Sequence, residues 1–180
     1  MDIYYINIEE FLEKYNAGQL KVFLKDKNFK SEKRRLEYAI GRYLVINVAK
    51  KYYSINNPEI VINNKKPEFY NKKIDFSLTH SKNYVMAAFD KKPCGIDLEF
   101  INNQIKLDSL SKRYKIEFQS VEHFFEFWVK KEATIKLQQI HSTIISRNFK
   151  DNYKLAIATI EKPKSIIFTN FLESLQTFEM

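Results

Sequence analysis

Short segments in which apolar and polar residues alternate, or in which apolar residues run together, predict the strands of this chain. The clearest alternation covers residues 74–79, a short apolar run follows at 84–89, and a third strand is predicted at 94–100. A short polar segment separates the first two, so we expect a β-hairpin that turns at 81–83. Three further strands are predicted at residues 1–8, 153–160 and 165–169, the last two turning around Lys162-Pro163.

Two long segments carry apolar residues at helical spacing. The first spans residues 31–51, with Ser31 as its N-cap, and the second spans 118–139. Shorter helices are predicted near 9–16 and 107–114. Because helices and strands do not alternate strictly, the pattern favours the α+β class with mostly antiparallel sheets.

Each half of the sequence has one long helix and a few strands. A half of about 90 residues has too little apolar surface to form a stable core by itself while one face of its sheet stays exposed to solvent. We therefore predict two similar α+β lobes, residues 1–90 and 91–180, each a small sheet packed on a long helix. The lobes would be related by an approximate twofold axis within a monomer, with the junction near 89–93 and a cleft between them.

The composition excludes several classes of protein. The chain has 180 residues, of which 44% are hydrophobic and 29% charged, as is typical of globular proteins. No apolar stretch approaches the roughly 20 residues of a membrane-spanning helix, and acidic residues stand where a secretory signal would begin, so we expect a cytoplasmic protein without a membrane partner. A single cysteine excludes an intramolecular disulfide, and three glycines exclude a GxGxxG motif or a P-loop.

The net charge of +8 suits a polyanionic partner, which could be a nucleic acid, an acidic protein or a phosphate-rich cofactor. Basic residues cluster at the start of the first long helix, at Lys30, Lys33, Arg34 and Arg35. Cations at a helix N-terminus are electrostatically unfavourable unless an anion is present. The cluster is by default a solvated helix start, and its position at the N-terminus is a modest hint of a bound phosphate.

Asp97 and Glu99 fall on one side of the strand predicted at 94–100, because side chains two residues apart share a face. Their Cα atoms would be about 6.6 Å apart. Two interpretations are open at this point. The acids belong either to a solvated outer face or to a divalent metal site with oxygen ligands, as Mg²⁺ sites commonly have.

Glu132 favours the metal interpretation. On a helical projection it falls near the centre of an apolar stripe formed by Val121, Phe125, Trp128 and Ile135. Burial of an unpaired carboxylate is unfavourable by several kcal/mol, so Glu132 needs a cation, a proton or water beside it. An ion pair with Lys136, one turn further on, is the alternative. A site of three carboxylates with a lysine beside it explains the location of Glu132 more economically.

Three segments, in order along the chain, resemble the signature segments of the 4′-phosphopantetheinyl transferases, in the larger Sfp-type branch. They are Phe76-Ser77-Leu78-Thr79-His80-Ser81, Gly95-Ile96-Asp97-Leu98-Glu99 and the helical segment from Trp128 to Lys136. The resemblance implies a two-lobed α+β fold with coenzyme A in the cleft between the lobes. It also implies transfer of phosphopantetheine from coenzyme A to a serine of an apo acyl or peptidyl carrier protein, with release of adenosine 3′,5′-bisphosphate.

The same resemblance implies roles for individual residues of the second half. Asp97, Glu99 and Glu132 match the positions of the family's Mg²⁺ ligands, and Glu132 also matches the favoured catalytic base. Lys136 matches the catalytic lysine near the pyrophosphate.

Coenzyme-binding positions are matched in the first half, at Lys66, Thr79 and His80. Arg34 and Arg35 lie near the family's basic residues before the long helix, so they join the expected coenzyme contacts. The family's carrier proteins are typically acidic, which agrees with the net positive charge of this chain.

Two other functions are compatible with parts of the sequence. One is a non-catalytic descendant of the same fold that binds coenzyme A or an acidic protein. The other is an RNA-binding module that uses the basic surface and aromatic residues such as Tyr52, Tyr53 and Phe69. The chain lacks an RNP-type strand motif and a KH-type GxxG loop, so we expect no nucleic-acid partner.

Overall fold

The computed structural model describes residues 1–24, 28–70, 73–140 and 142–176 of the chain. The strands in this part are β1 (Asp2–Asn7), β2 (Ile60–Asn63), β3 (Lys66–Phe69), β4 (Asp75–Ser81), β5 (Tyr84–Asp90), β6 (Cys94–Phe100), β7 (Thr143–Asn148), β8 (Tyr153–Thr159) and β9 (Ile167–Asn170). The α-helices are α1 (Ile8–Lys14), α2 (Glu32–Tyr53), α3 (Leu107–Tyr114), α4 (Val121–Leu137) and α5 (Phe171–Gln176), and a 3₁₀ helix covers Ala17–Phe23. The α+β class predicted from the sequence is confirmed.

A four-stranded sheet and α2 form the first half of the molecule. The strand order is β4-β5-β1-β9, with β5 antiparallel to both β4 and β1. The predicted N-cap of α2 is confirmed, because the Ser31 side chain accepts a hydrogen bond from the backbone N–H of Arg34 at 3.3 Å. The helix packs closely on the sheet at Gly41, where an added Cβ would lie 2.7 Å from Leu78 Cδ2. This half also carries the small β2–β3 hairpin.

A three-stranded antiparallel sheet and α4 form the second half. The strand order is β6-β8-β7. An added Cβ at Gly95 of β6 would lie 2.0 Å from the carbonyl oxygen of Ala133 and 2.7 Å from the backbone nitrogen of Leu137. The backbones of β6 and α4 are thus in direct contact, and only glycine leaves room for this approach. The glycine therefore brings the face of β6 that carries Asp97 close to the catalytic helix expected from the sequence.

The last strand returns to the first half. The two strands predicted to turn around Lys162-Pro163, at 153–160 and 165–169, do not pair with each other, because β8 already has β6 and β7 on its two edges. Instead β9 pairs in parallel with β1, and Phe171, which follows β9 directly, is fully buried in the core of the first half. β9 and α5, predicted to lie in the second lobe with the rest of residues 91–180, thus belong to the first sheet and its core.

No α-helix in the described ranges has both the length and the apolar character needed to cross a membrane.

Candidate active site

The edge strands β4 and β6 belong to different sheets and are joined through side chains. Alternate residues of β4 accept hydrogen bonds from alternate backbone N–H groups of β6: Asp75 from Cys94 at 2.8 Å, Ser77 from Ile96 at 3.1 Å, Thr79 from Leu98 at 3.1 Å and Ser81 from Phe100 at 2.9 Å. The partner is always 19 residues further along the chain, so the two strands run parallel. We call this row of side-chain acceptors the β4–β6 seam. It provides hydrogen-bond acceptors for the backbone N–H groups along the edge of β6 that β8 does not cover, and it joins the two halves.

Asp97 is buried at the seam, with 5% of its surface exposed. Its Oδ1 atom accepts hydrogen bonds from the Thr79 hydroxyl at 3.2 Å and from Lys136 Nζ at 2.7 Å. Burial raises the pKa of Asp97 above its ordinary value, although the Lys136 ammonium group and the Thr79 hydroxyl oppose the rise. The solvated-face interpretation of this acid is therefore wrong.

Glu99 is half-buried two residues further along β6. Its Oε2 atom accepts a hydrogen bond from the Ser81 hydroxyl at 3.0 Å, and its Oε1 atom accepts one from the indole N–H of Trp128 at 3.3 Å. Partial burial raises the pKa of Glu99, and the nearby Asp97 raises it further. Ser81 and Trp128 were not predicted as site residues, although the alternation of hydroxyl residues along β4 was visible in the sequence.

Glu132 lies at the border of the buried face of α4 rather than at its centre. The residues of α4 that pack on the second sheet recur every four positions, at Val129, Ala133 and Leu137, whereas Ile135 is 57% exposed. Val121, Phe125 and Trp128 belong instead to a second cluster, formed by α4 with Phe118 and apolar residues of α3. The predicted stripe was wrong because α4 has apolar contacts on two sides. A single helical projection merges the two sets of apolar residues into one stripe, whose centre falls between them.

The Glu132 carboxylate is half-buried and makes no hydrogen bond or ion pair with any other described residue. The predicted alternative, an ion pair between Glu132 and Lys136, is absent from the part of the chain that the structure describes. The Lys136 ammonium group turns to β6 instead, where it donates to Asp97 and to the Ile96 carbonyl oxygen at 3.1 Å. Glu132 is therefore available to a ligand.

The fit of this site to a metal ion rests on its oxygen atoms. The buried Oδ2 atom of Asp97 has no hydrogen-bond partner, the Glu132 carboxylate is free, and carboxylate oxygens are the ligands that Mg²⁺ prefers. Among the described residues, no three acidic, histidine or cysteine side chains are already gathered as metal ligands. The donor set fits a hard divalent cation, but closer approach of the three acids would be needed to bind it.

Lys66 is largely buried at the start of the seam. Its Nζ atom donates to Asp75 Oδ2 at 2.7 Å and to the Cys94 carbonyl oxygen at 3.0 Å, and 9% of the side chain is exposed. The Lys66 side chain thus holds the β2–β3 hairpin against both halves. Its ammonium group is engaged inside the protein rather than extended towards solvent.

His80 contacts α2 beside the site, whereas Arg35 lines a separate cavity between α2 and the 3₁₀ helix. The Nδ1 atom of His80 lies 3.3 Å from Oε2 of Glu37, a buried acid that the sequence did not single out. Arg34 is exposed, and Arg35 pairs with Glu32 at 3.0 Å, one turn earlier on the helix. Of these three residues the structure therefore brings His80 to the site, and it places Arg35 elsewhere on α2.

A surface cavity of about 330 Å³ opens beside the seam. Its walls include Lys65 and Lys66 from the β2–β3 hairpin, Ser77 and Leu78 from β4, and Lys136 from α4. A hydrogen bond from Gln138 Nε2 to the Asn64 carbonyl oxygen, at 2.9 Å, connects the hairpin to the end of α4. The cavity thus combines an apolar wall with lysines from both halves, and the Asp97 to Lys136 ion pair lies at its edge.

The chain is similar to a known protein over most of its length. The chain is 26% identical, over 162 aligned residues, to the 4′-phosphopantetheinyl transferase ffp of Bacillus subtilis. The alignment covers 76% of this chain and 69% of the relative. No protein-family model matches the chain. The similarity extends over most of the sequence and agrees with the resemblance that the three short segments carry.

Proposed function

We propose that this protein is a transferase that moves the 4′-phosphopantetheine group of coenzyme A to a serine of an apo acyl or peptidyl carrier protein. The observation that carries the proposal is the buried Asp97 carboxylate, held between Thr79 and Lys136 where the two halves meet. The sequence similarity to a 4′-phosphopantetheinyl transferase supports the same conclusion.

The reaction needs few groups from the protein. The serine oxygen attacks the phosphorus atom that bears pantetheine, and a new oxygen–phosphorus bond forms. The bond from that phosphorus to the bridging oxygen of the pyrophosphate breaks, and adenosine 3′,5′-bisphosphate leaves with the electron pair. The serine proton must be removed, and negative charge on the phosphate oxygens must be neutralised.

Glu132 is the group that we assign to the proton. Its carboxylate is half-buried and has no partner among the described residues, so it can accept a hydrogen bond from an incoming hydroxyl. Glu99 is less suited, because the Ser81 hydroxyl and the Trp128 indole already donate to its two oxygens. Asp97 is less suited as well, because it is more deeply buried and pairs with a lysine.

Lys136 is the cation that we assign to the pyrophosphate. Its side chain is partly exposed on the cavity wall, and its ammonium group can donate to a phosphate oxygen while it remains near Asp97. In this role Asp97 also positions the lysine, because the 2.7 Å contact holds Nζ at the edge of the cavity.

Mg²⁺ is part of the proposal. Asp97 and Glu132, which have free oxygens, would hold it with Glu99 as a third ligand. A bound Mg²⁺ ion would neutralise phosphate charge and orient the pyrophosphate.

The proposed substrates fit the charge and shape of the protein. The cavity beside the seam has lysines from both halves for the phosphates of coenzyme A, with Lys65 more accessible than Lys66. A net charge of +8 suits an acidic carrier protein. Since one chain supplies all of these residues, we propose that the monomer is the active form. We also propose that the protein is cytoplasmic, as the sequence analysis predicts.

The test is direct. The purified protein is incubated with coenzyme A, Mg²⁺ and an apo acyl carrier protein, and the carrier is weighed by mass spectrometry. We expect a mass gain equal to one phosphopantetheine group, and no gain on a carrier whose acceptor serine is replaced by alanine. A folded protein that leaves several acyl and peptidyl carriers unmodified would contradict the proposed function.

A further inference from the structure

The three strands of the second sheet present a row of polar side chains to α4. Glu99 of β6 is paired in register with Lys154 of β8, and Lys154 is paired in register with Asn148 of β7. Ala156, two residues after Lys154, packs against α4, and side chains two residues apart on a strand share a face. Glu99, Lys154 and Asn148 therefore lie on the face of the sheet that α4 covers.

Lys154 lies directly opposite Glu99 but contacts other groups. In an antiparallel pair the Cβ atoms of opposite residues are about 5 Å apart, so a lysine ammonium group at this position can reach the Glu99 carboxylate. Among the described residues, however, its Nζ atom lies 3.5 Å from Oε2 of Glu126 and donates to Oδ1 of Asn148 at 3.2 Å. Only 14% of the Lys154 side chain is exposed. These contacts therefore direct the lysine towards β7, away from Glu99.

Glu126 is itself held in place on α4. Its Oε1 atom accepts hydrogen bonds from Lys130, one turn further along the helix, and from the Ser146 hydroxyl of β7 at 3.0 Å. These hydrogen bonds, together with the charges of Lys130 and Lys154, lower the pKa of Glu126 to about 2. Glu126 is thus a fixed anion above β7, on the opposite side of Lys154 from Glu99.

A lysine paired with Glu99 would compete with a divalent cation. Ser81 and Trp128 each donate to one oxygen of Glu99, and each carboxylate oxygen has a further lone pair. An ammonium group and a metal ion would bind the same remaining lone pairs, and their positive charges would repel each other. Since Lys154 contacts Glu126 instead, these lone pairs of Glu99 stay open.

We propose that Glu126 is a positioning residue that holds Lys154 away from Glu99 and so keeps Glu99 available to a divalent cation. The inference rests on the proposed function, in which Glu99 is a ligand of Mg²⁺. Glu126 contacts neither the ion nor a substrate in this role, because it acts through Lys154. Neither residue was among the site residues predicted from the sequence.

Binding of Mn²⁺ to the whole protein, without coenzyme A or a carrier, provides the measurement. Mn²⁺ takes the same oxygen ligands as Mg²⁺, and as a paramagnetic ion it quenches the fluorescence of a nearby indole. Trp128 is the only tryptophan of the chain, and its indole N–H donates to Glu99. Quenching therefore reports an ion at this site rather than elsewhere on the surface.

Glu126→Gln should lower the affinity for Mn²⁺ by about tenfold or more, because Lys154 then turns to Glu99. Addition of Lys154→Met to this variant removes the ammonium group and keeps most of the volume. The affinity should then return to within about threefold of that of the unaltered protein. Lys154→Met alone should change the affinity by less than about threefold, because Glu126 already holds the lysine away.

Two controls separate this effect from a general effect of charge. Glu122→Gln removes the same charge from an exposed position in the first turn of α4, and it should change the affinity by less than about threefold. Lys130→Met, added to Glu126→Gln, should not restore the affinity. Lys130 lies about 200° around the helix from Trp128, the residue of α4 that contacts Glu99.

Three results would overturn the inference. The first is an absence of Trp128 quenching by Mn²⁺ in the unaltered protein, and the second is a loss of less than about threefold in folded Glu126→Gln. The third is an equal gain from Lys154→Met with and without Glu126, since the lysine charge would then act only at a distance. Glu126→Ala gives the same comparison if Glu126→Gln does not fold.

The transfer assay distinguishes this inference from the proposed function. Mn²⁺ binding that follows the expected pattern, without transfer to any carrier, would contradict the proposed function and leave the role of Glu126 standing. Normal transfer by a protein whose Mn²⁺ affinity does not depend on Glu126 would contradict the inference alone.

Discussion

The hydroxyl of Thr79 donates a hydrogen bond to the carboxylate of Asp97 at 3.2 Å and accepts one from the backbone N–H of Leu98 at 3.1 Å. The two residues belong to strands of different sheets. An acid of the second half is therefore held in place by a side chain of the first half, and the site depends on how the two halves meet.

Replacement of Thr79 by valine tests this dependence. Valine keeps the shape but leaves the buried N–H of Leu98 without a partner, which lowers the free energy of unfolding by about 1 to 3 kcal/mol. The transfer rate should fall as well, because Asp97 loses its donor. Urea unfolding and the carrier-modification assay measure the two effects. Thr79→Ser retains the hydroxyl, so it should keep most of the stability and most of the transfer rate. A valine variant as stable and active as the original protein would contradict the role of the seam.

The pH dependence of stability should reveal the burial of Asp97. Burial raises its pKa above the ordinary value of 3.8, so the folded protein binds this proton more tightly than the unfolded chain does. The stability that the proton provides is fully present below the ordinary pKa and is lost as the pH rises through the raised value. Asp97→Asn removes this titration.

We therefore expect Asp97→Asn to gain stability relative to the unaltered protein as the pH rises from about 4 to 7, while transfer activity is lost. Urea unfolding at several pH values gives the difference directly. Asp108→Asn, at an exposed position in the first turn of α3, should show no such trend. A difference for Asp97→Asn that shrinks as the pH rises would show that its carboxylate stabilises the fold.

Glu132→Gln should abolish transfer and leave the fold intact. The carboxylate has no partner among the described residues, so its loss breaks no internal contact. The amide cannot accept the serine proton, and general base catalysis commonly contributes about 10² to 10⁴ in rate. Glu122→Gln removes the same charge at an exposed position of the same helix and serves as the control. Near-normal turnover by a folded Glu132→Gln protein would refute the assignment of the base.

Gly95→Ala should destabilise the second half. The new methyl group would lie 2.0 Å from the Ala133 carbonyl oxygen, so α4 must move away from β6. Overpacking of this kind lowers the free energy of unfolding by about 1 to 3 kcal/mol or more, and the shift would also separate Lys136 from Asp97. Gly18→Ala is the matched control, since its methyl group would meet only the Asn16 side chain, at 3.3 Å. Equal stability of the two variants in thermal unfolding would contradict the close contact of β6 and α4.

Alanine replacements of the adjacent residues Lys65 and Lys66 should have different effects on stability and on coenzyme A binding. Lys66→Ala leaves Asp75 and the Cys94 carbonyl oxygen without their donor, and we expect a loss of about 1 to 3 kcal/mol in the free energy of unfolding. Lys65→Ala should leave stability unchanged, because its side chain is exposed on the cavity wall. It should raise KM for coenzyme A more than it lowers kcat. Equal unfolding free energies for the two variants would contradict the internal role of Lys66.

Local sequence determined much of this protein. The presence of α2 and α4, the N-cap at Ser31 and the β4–β5 hairpin follow from helical spacing, strand alternation and capping residues, all of which act over a few positions. The strand that carries Asp97 and Glu99 was predicted for the same reason. The three short segments also contained enough of a family pattern to suggest the chemistry.

Tertiary structure decided what depends on contacts between distant residues. The pairing of β9 with β1 depends on which sheet edge is free after the chain collapses, and no local pattern encodes that choice. The border position of Glu132 follows from two packing surfaces on one helix. The contacts of Lys136 with Asp97 and of Glu37 with His80 join residues about 40 positions apart, and burial and electrostatics select such partners only when the elements have packed.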